Sequence, residues 1–270
     1  VGNTGRAAAI TFAHLTDAGR VRTRNEDSLG AFEPRDPALR QARGYLFVVA
    51  DGMGGHARGD VASRLAVETL RDTYYEADRR EPLPEALRVS VQIANEAVYR
   101  ESRQVSGEAP MGTTLTALVI RDRDAFLAHV GDSRAFLIRG RQIRQLTEDH
   151  SFVAELVRSG VLSTTEAERH PNAHVIMRAL GLAEDVAIEM QGPLALRTGD
   201  TLVLCTDGLT RQVKPQEIRK LAGIRALRGA CERLVSLANE RGGPDNITIQ
   251  LIRFGPRRFF PAALSSLRVW

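Results

Sequence analysis

Four short acidic motifs punctuate this chain, each at one end of an apolar, strand-like run. Asp51-Gly52 follows Tyr45–Ala50, Asp132 follows Phe126–Gly131, Asp207-Gly208 follows Thr201–Thr206, and Asp245-Asn246 precedes Ile247–Phe254. Neighbouring strands lie about 4.8 Å apart, so strand ends that share an edge bring their residues together. Half-buried carboxylates gathered in this way repel one another and destabilise the fold unless a cation neutralises them. A chain with this pattern therefore calls for a cation at those strand ends, and hard oxygen donors suit Mg2+ or Mn2+.

The 270 residues and 43% apolar content suffice for a sizeable core in one domain. No Pro/Gly/Ser-rich linker or internal repeat divides the chain before residue 254. The net charge is only +4, Lys occurs solely at Lys214 and Lys220, and the Arg residues are scattered. With aromatics at 5%, the chain lacks the basic stripe and stacking residues of a nucleic-acid binder. No stretch approaches the roughly 18 apolar residues of a membrane span, and the opening residues do not read as a signal peptide. The expected location is cytoplasmic. Cys205 and Cys231 have no metal-ligand spacing and read as small core residues.

Periodicity predicts strands at Ile10–Leu15, Ser28–Phe32 and Tyr45–Ala50, then two successive helices. The first helix carries Val61, Leu65, Ala66, Thr69 and Leu70 on one face; the second carries Leu87, Val91, Ala94 and Val98. Strands return at Thr113–Ile120, Ala125–Val130, Ala135–Arg139 and Gln142–Leu146, with connections short enough to imply antiparallel pairing. A polar helical stretch over 149–180 precedes strands at Asp185–Gln191 and Thr201–Cys205. Two helices near Pro215–Leu221 and Arg228–Arg241 follow, and Ile247–Phe254 closes the core. Blocks of strands alternating with helix pairs predict an α+β fold, antiparallel sheets with helical hairpins outside.

Gly52-Met53-Gly54-Gly55-His56-Ala57 has the outline of a dinucleotide-binding turn. Asp51 would set a negative charge beside the pyrophosphate, the next element after the helix is a second helix, and no acidic residue ends a second strand about 20 residues on. That reading is set aside.

Eight motifs in order carry a family resemblance: Thr16-Asp17-Ala18-Gly19; Arg22 with Asn25-Glu26-Asp27-Ser28; Asp51-Gly52-Met53-Gly54-Gly55-His56; Met111-Gly112-Thr113-Thr114; His129-Val130-Gly131-Asp132-Ser133-Arg134; Leu146-Thr147-Glu148-Asp149-His150-Ser151; Thr206-Asp207-Gly208-Leu209; and Gly243-Pro244-Asp245-Asn246-Ile247-Thr248. The chain resembles the bacterial serine/threonine phosphatases of the PP2C type, the metal-dependent PPM family. The resemblance runs over residues 10–254 and leaves an N-terminal extension, 1–9, and a tail, 255–270.

That resemblance implies a central β-sandwich flanked by helices, an α/β/β/α four-layer fold, with a centre of two Mn2+ or Mg2+ ions at one end. It implies that Asp51 bridges both metals, that the Gly52 carbonyl ligates one, and that Asp207 and Asp245 ligate the other. Asp27 and Glu26 match an acidic pair that acts through water. Asp132 matches a position that binds a third, weaker metal in bacterial relatives, and Arg22 matches the arginine that clamps the substrate phosphate. Residues 147–180 match a flap beside the cleft, where loops commonly carry specificity.

The implied chemistry suits these residue types. A water held between two divalent ions can supply hydroxide near neutral pH for in-line attack on phosphorus. Arg22 would add a charge-assisted fork for the phosphoryl oxygens, and no cysteine nucleophile is required. His56 is a candidate proton donor for the leaving serine or threonine oxygen, although eukaryotic relatives often have a histidine directly after the Asp-Gly, where this chain has Met53. His170 and His174 share helical spacing, but Pro171 lies between them, which argues against zinc. The implied partners are phosphorylated proteins and a cognate serine/threonine kinase, acting with a monomer; no nucleic acid is among them. The alternative is a phosphatase-like binding or regulatory module with little turnover. The tail mixes Arg257, Arg258 and Arg268 with Phe259, Phe260 and Trp270 and reads as a frayed or docked end.

Overall fold

The computed structural model describes residues 8–54, 58–104, 110–167 and 169–256. In chain order these form β1 (Ala8–Asp17), β2 (Asp27–Phe32), α1 (Pro37–Arg43), β3 (Tyr45–Met53), α2 (Gly59–Glu76), α3 (Leu83–Arg103), β4 (Gly112–Thr113) and β5 (Leu115–Arg121). Then come β6 (Asp124–Val130), β7 (Arg134–Arg139), β8 (Gln142–Gln145), α4 (Phe152–Arg158), α5 (Thr164–Ala167), β9 (Glu189–Ala195), β10 (Thr201–Cys205), α6 (Asp207–Thr210), α7 (Pro215–Ala222), α8 (Leu227–Glu240) and β11 (Ile247–Pro256).

One sheet has the order β1-β11-β10-β7-β8 and the other β2-β3-β5-β6-β9, with β4 added against β3. Every strand pair is antiparallel. Side chains alternate across a strand, and the apolar runs exploit this on both faces. In β3, Leu46, Val48 and Ala50 pack under α2 and α3, while Phe47 and Val49 point between the sheets. In β10, Val203 and Cys205 face α7 and α8, whereas Leu202 and Leu204 face the opposing sheet. Both cysteines are buried, as the sequence predicts. The result is four layers, helices outside and two sheets within, as expected of the α+β reading.

Four local departures have physical causes. Helix α1 was not expected; Asp36 caps it by accepting from the Ala38 amide at 2.9 Å, with Pro37 preset at its first turn. Strand β9 begins at Glu189 rather than Asp185 and continues through Gly192-Pro193 to Ala195. Proline is tolerated there because β9 is an edge strand and its register with β6 shifts between Ala125 and Leu127. Strand β3 does not stop with its apolar run; it carries Asp51 and Gly52 on to Met53 by exchanging its partner β5 for β4. Thr114 separates β4 from β5 because its amide and hydroxyl both turn to Asp51.

Leu118 sits fully buried between the sheets. Leu118→Ala is expected to lower unfolding free energy by about 2–5 kcal/mol in a denaturant titration; a loss well under 1 kcal/mol would show that this layer is not close-packed.

Candidate metal centre

Strand register brings the acidic motifs face to face. Asp27 on β2 is the direct cross-strand partner of Asp51 on β3, and like charges so placed destabilise a sheet. In the other sheet Cys205 pairs with Arg134; Asp207 follows that pair by two residues and Asp132 precedes it by two, close enough for each charge to act on the other. Asp245 lies two residues before β11, which runs beside β10. The two sheets meet at these ends through Asp27, whose Oδ2 accepts from Thr206 Oγ1 at 2.9 Å and Thr248 Oγ1 at 2.6 Å. Thr248 in turn accepts from Thr16 Oγ1 at 2.7 Å, and Asn25 Nδ2 donates to Thr16 at the same distance.

The cluster is electrostatically overloaded. Burial, reinforced by Asp207 and Asp245, pushes Asp27 up to about 7 despite its threonine donors. Burial with Asp207 and Asp149 pushes Asp132 up to about 7. Asp51 is raised well above the carboxylate range by burial and then by Asp27, Asp207, Asp132 and Asp245. Asp207 is raised by burial and lies within hydrogen-bonding reach of Asp51; with both ionised, its Oδ1 has no partner. Asp27 Oδ1 and Asp132 Oδ1 are likewise buried without a hydrogen-bond partner among the described residues. Buried carboxylate oxygens left without a hydrogen-bond partner are what divalent cations satisfy. The donor set fits such ions.

A loop from Asp17 to Asp27 wraps the end of the sandwich, and Asn246 holds it. Its Oδ1 accepts from the Glu26 amide at 2.8 Å, and its Nδ2 donates to the Ala18 and Arg24 carbonyls at 3.0 and 2.8 Å. On this loop Arg22 forks onto Asp245, Nε to Oδ1 at 2.9 Å and Nη2 to Oδ2 at 3.1 Å. Its side chain is 54% exposed, so the guanidinium sits at the rim. Glu26 is less convergent than its neighbour: its carboxylate accepts from the Gly59 amide at the start of α2, and burial raises it. Gly52 packs backbone to backbone against Gly59; a Cβ on Gly52 would collide with the Gly59 carbonyl oxygen. Gly208 lies equally close to the Asn246 carbonyl oxygen. His56 lies outside the described residues.

His129, His150 and Glu189 form a second group whose ligand atoms approach one another within 4.8 Å. Here the donors are already in use. His129 Nδ1 meets Thr116 Oγ1 at 2.9 Å and its Nε2 donates to the Glu148 carbonyl at 3.0 Å. His150 Nδ1 accepts from the Gly131 amide at 3.1 Å, and Nε2 faces Glu189 Oε2 at 3.6 Å. Burial holds both imidazoles down to about 4, so both are neutral at pH 7. This group braces the turn that carries Asp132. It also anchors the expected flap, since the His150 amide donates to the Gly131 carbonyl and the Met177 amide to the His150 carbonyl. Val161 and Met177 are exposed on that flap.

The family model for protein phosphatase 2C matches residues 20–249. The chain belongs to the protein phosphatase 2C family. It is 39% identical over 241 residues to the serine/threonine phosphatase stp of Listeria monocytogenes, covering 88% of this chain and 93% of that protein. It is 35% identical to the serine/threonine phosphatase PstP/Ppp of Mycobacterium tuberculosis, whose crystal structure superposes with a TM-score of 0.80 over 91% of this chain and 99% of the other. A PstP catalytic domain in complex with two manganese ions is 34% identical, with a TM-score of 0.78 over 92% of this chain and 99% of that one.

Sequence reasoning brought Asp27, Asp51, Asp132, Asp207, Asp245 and Arg22 to this PP2C cluster but gave no role to the hydroxyls beneath it. Thr206 and Thr248 donate to Asp27, and Thr114 Oγ1 accepts from the Asp51 amide at 2.9 Å. The available signal was position: each threonine adjoins an acidic motif or a strand end. Arg211, paired with Asp207 at 2.6 Å, was also missed.

The raised carboxylates give a pH dependence of definite sign. A carboxyl raised from 3.8 to about 7 favours the fold fully below pH 3.8 and loses that contribution as pH rises through 7. The lowered histidines act oppositely between about 4 and 6.5, but they are common to wild type and an Asp27 variant. In EDTA at pH 8, Asp27→Asn is expected to melt about 5 °C above wild type, with the difference vanishing near pH 4. Equal melting at pH 8 would contradict the repulsion.

Proposed function

We propose that this chain is a metal-dependent protein serine/threonine phosphatase that hydrolyses phosphoserine and phosphothreonine with two Mn2+ or Mg2+ ions. The observation that carries the reading is the Asp27–Asp51 cross-strand pair with buried, unpartnered carboxylate oxygens around it. The name of the Listeria relative, a serine/threonine phosphatase, supports it, as does the manganese-bound PstP domain.

In this reading Asp51, the Gly52 carbonyl, Asp207 and Asp245 are the groups that would hold the two ions. Asp27 and Glu26 would act on them through water. When bound, the ions would lower the pKa of a shared water and draw charge from the phosphoryl oxygens. The chain's own residues set the geometry. Thr206 and Thr248 keep one oxygen of Asp27 occupied, which turns the other toward the cluster. Arg22 exchanges its fork from Asp245 to the incoming phosphate, a planar match with two parallel hydrogen bonds. Its exposure at the rim leaves it free to make that exchange.

Residues 10–254 are the catalytic domain, and the 147–180 flap contacts the protein substrate. The physiological substrates are phosphoproteins made by a serine/threonine kinase that the enzyme opposes as a monomer in the cytoplasm. No helix of the described residues is long and apolar enough to cross a membrane.

Hydrolysis of an aryl phosphate and a phosphothreonine peptide tests the reading. Turnover with Mn2+ is expected to fall at least about 100-fold in EDTA and in Asp207→Asn. No turnover with either metal, in folded protein, would favour a binding or regulatory module instead. Arg22→Ala is expected to lower kcat/KM by about 10- to 100-fold through loss of a charged hydrogen-bond pair; an unchanged value would remove Arg22 from phosphate recognition.

A further inference from the structure

Helix α6 is a single turn, and its spacing returns Arg211 to the residue that opens it. The Arg211 amide donates to the Asp207 carbonyl at 2.8 Å, and Nη2 of its guanidinium lies 2.6 Å from Asp207 Oδ2. The arginine side chain is 39% exposed and that of Asp207 only 12%. The guanidinium therefore enters from solvent and covers one oxygen of an interior carboxylate.

The same positive charge acts on Asp132, which lies near Asp207 just beyond the Cys205–Arg134 pair, where β7 starts and β10 ends. Asp132 is 5% exposed, and its buried Oδ1 has no partner among the described residues. The other cation acting on it, Arg134, is engaged elsewhere: its Nε and Nη2 fork onto Asp149 at 3.0 and 2.5 Å. Asp132 is thus an interior carboxyl whose other positive neighbour, Arg211, is held beside it by Asp207, and it is also the residue at which the family resemblance implies a third, weaker metal.

We propose that in this chain the Arg211 guanidinium takes the place of that third divalent ion, leaving a two-ion centre. The inference rests on the phosphatase reading above. A third ion at Asp132 and Asp207 would have to displace Arg211 from Asp207 Oδ2 or sit beside a fixed like charge, and both oppose binding. The charge balance agrees. Glu26, Asp27, Asp51, Asp132, Asp207 and Asp245 supply six negative charges; two divalent ions with Arg22 and Arg211 neutralise them, and a third ion leaves an excess. The guanidinium is also covalently tethered one helical turn away, so it is present at every free metal concentration.

The test counts Mn2+ bound at equilibrium dialysis, from micromolar to millimolar free metal, on metal-stripped full-length chain. Wild type is expected to saturate at two ions. Arg211→Ala and Arg211→Gln are both expected to take up a third ion in the millimolar range, at least about tenfold tighter than any third site of wild type. Adding Asp132→Asn to either is expected to return the count to two. The two retained ions and an unchanged circular dichroism spectrum report an intact fold.

A third ion bound by wild type as tightly as by Arg211→Ala overturns the inference. So does an Arg211→Ala chain that stays at two, or a third ion that survives Asp132→Asn. A gain in Arg211→Ala without one in Arg211→Gln would assign the effect to space rather than charge, and also overturns it. Fewer than two ions on folded wild type would overturn the phosphatase reading and this inference together, which separates that failure from the others.

Discussion

Two carboxylates facing each other across neighbouring strands, Asp27 and Asp51, set the terms on which the rest of the molecule is built. An unscreened pair of this kind weakens the sheet that carries it. The chain compensates by surrounding the pair with a second sheet's threonines, a close-packed glycine contact and further carboxylates that together make a cation site. Stability given up at one end of the sandwich is supplied by its interior, where Phe47, Leu118, Leu202 and Phe254 pack between the sheets.

The two-sheet architecture matters because the centre draws on both sheets. Asp27 and Asp51 belong to one, Asp207 and Asp245 flank strands of the other, and Asp132 sits on the connection from β6 to β7 that joins the two. Hydrogen bonds from Thr206 and Thr248 to Asp27 cross between them, and Gln250 reaches from β11 to the Gly30 carbonyl at 2.9 Å. Sites supported on strands and locked by outer hydrogen bonds hold ligands to tight tolerances. The flap hangs from the same frame, since His150 exchanges backbone and side-chain hydrogen bonds with Gly131, next to Asp132.

Much of this was legible because the relevant signals are local. Alternating apolar runs marked the strands, and an acidic residue at each run's end marked the edge where they meet. Register was not legible. Nothing in the order of residues says that Asp27 faces Asp51 or that Cys205 pairs with Arg134 and so draws Asp207 and Asp132 together, because pairing is decided by which faces bury best in three dimensions. The end of β9 was placed too early, at Gln191, because Gly192-Pro193 reads as a stop, whereas an edge strand tolerates it. Helix α1 was passed over although Asp36-Pro37 is a start signal, since seven residues are too few for periodicity to register. The pairing of Arg211 with Asp207 was missed because one arginine in an arginine-rich chain carries no distinguishing mark until its neighbour is known.

The most direct test of the account is anomalous diffraction from crystals of this protein grown with Mn2+. Two peaks about 3.5–4 Å apart, within the ring of Asp51, Asp207 and Asp245, are the expected result. Manganese bound instead at His129, His150 and Glu189, or no ordered peak beside Asp51, would contradict the claim that the fold exists to hold cations between its facing carboxylates.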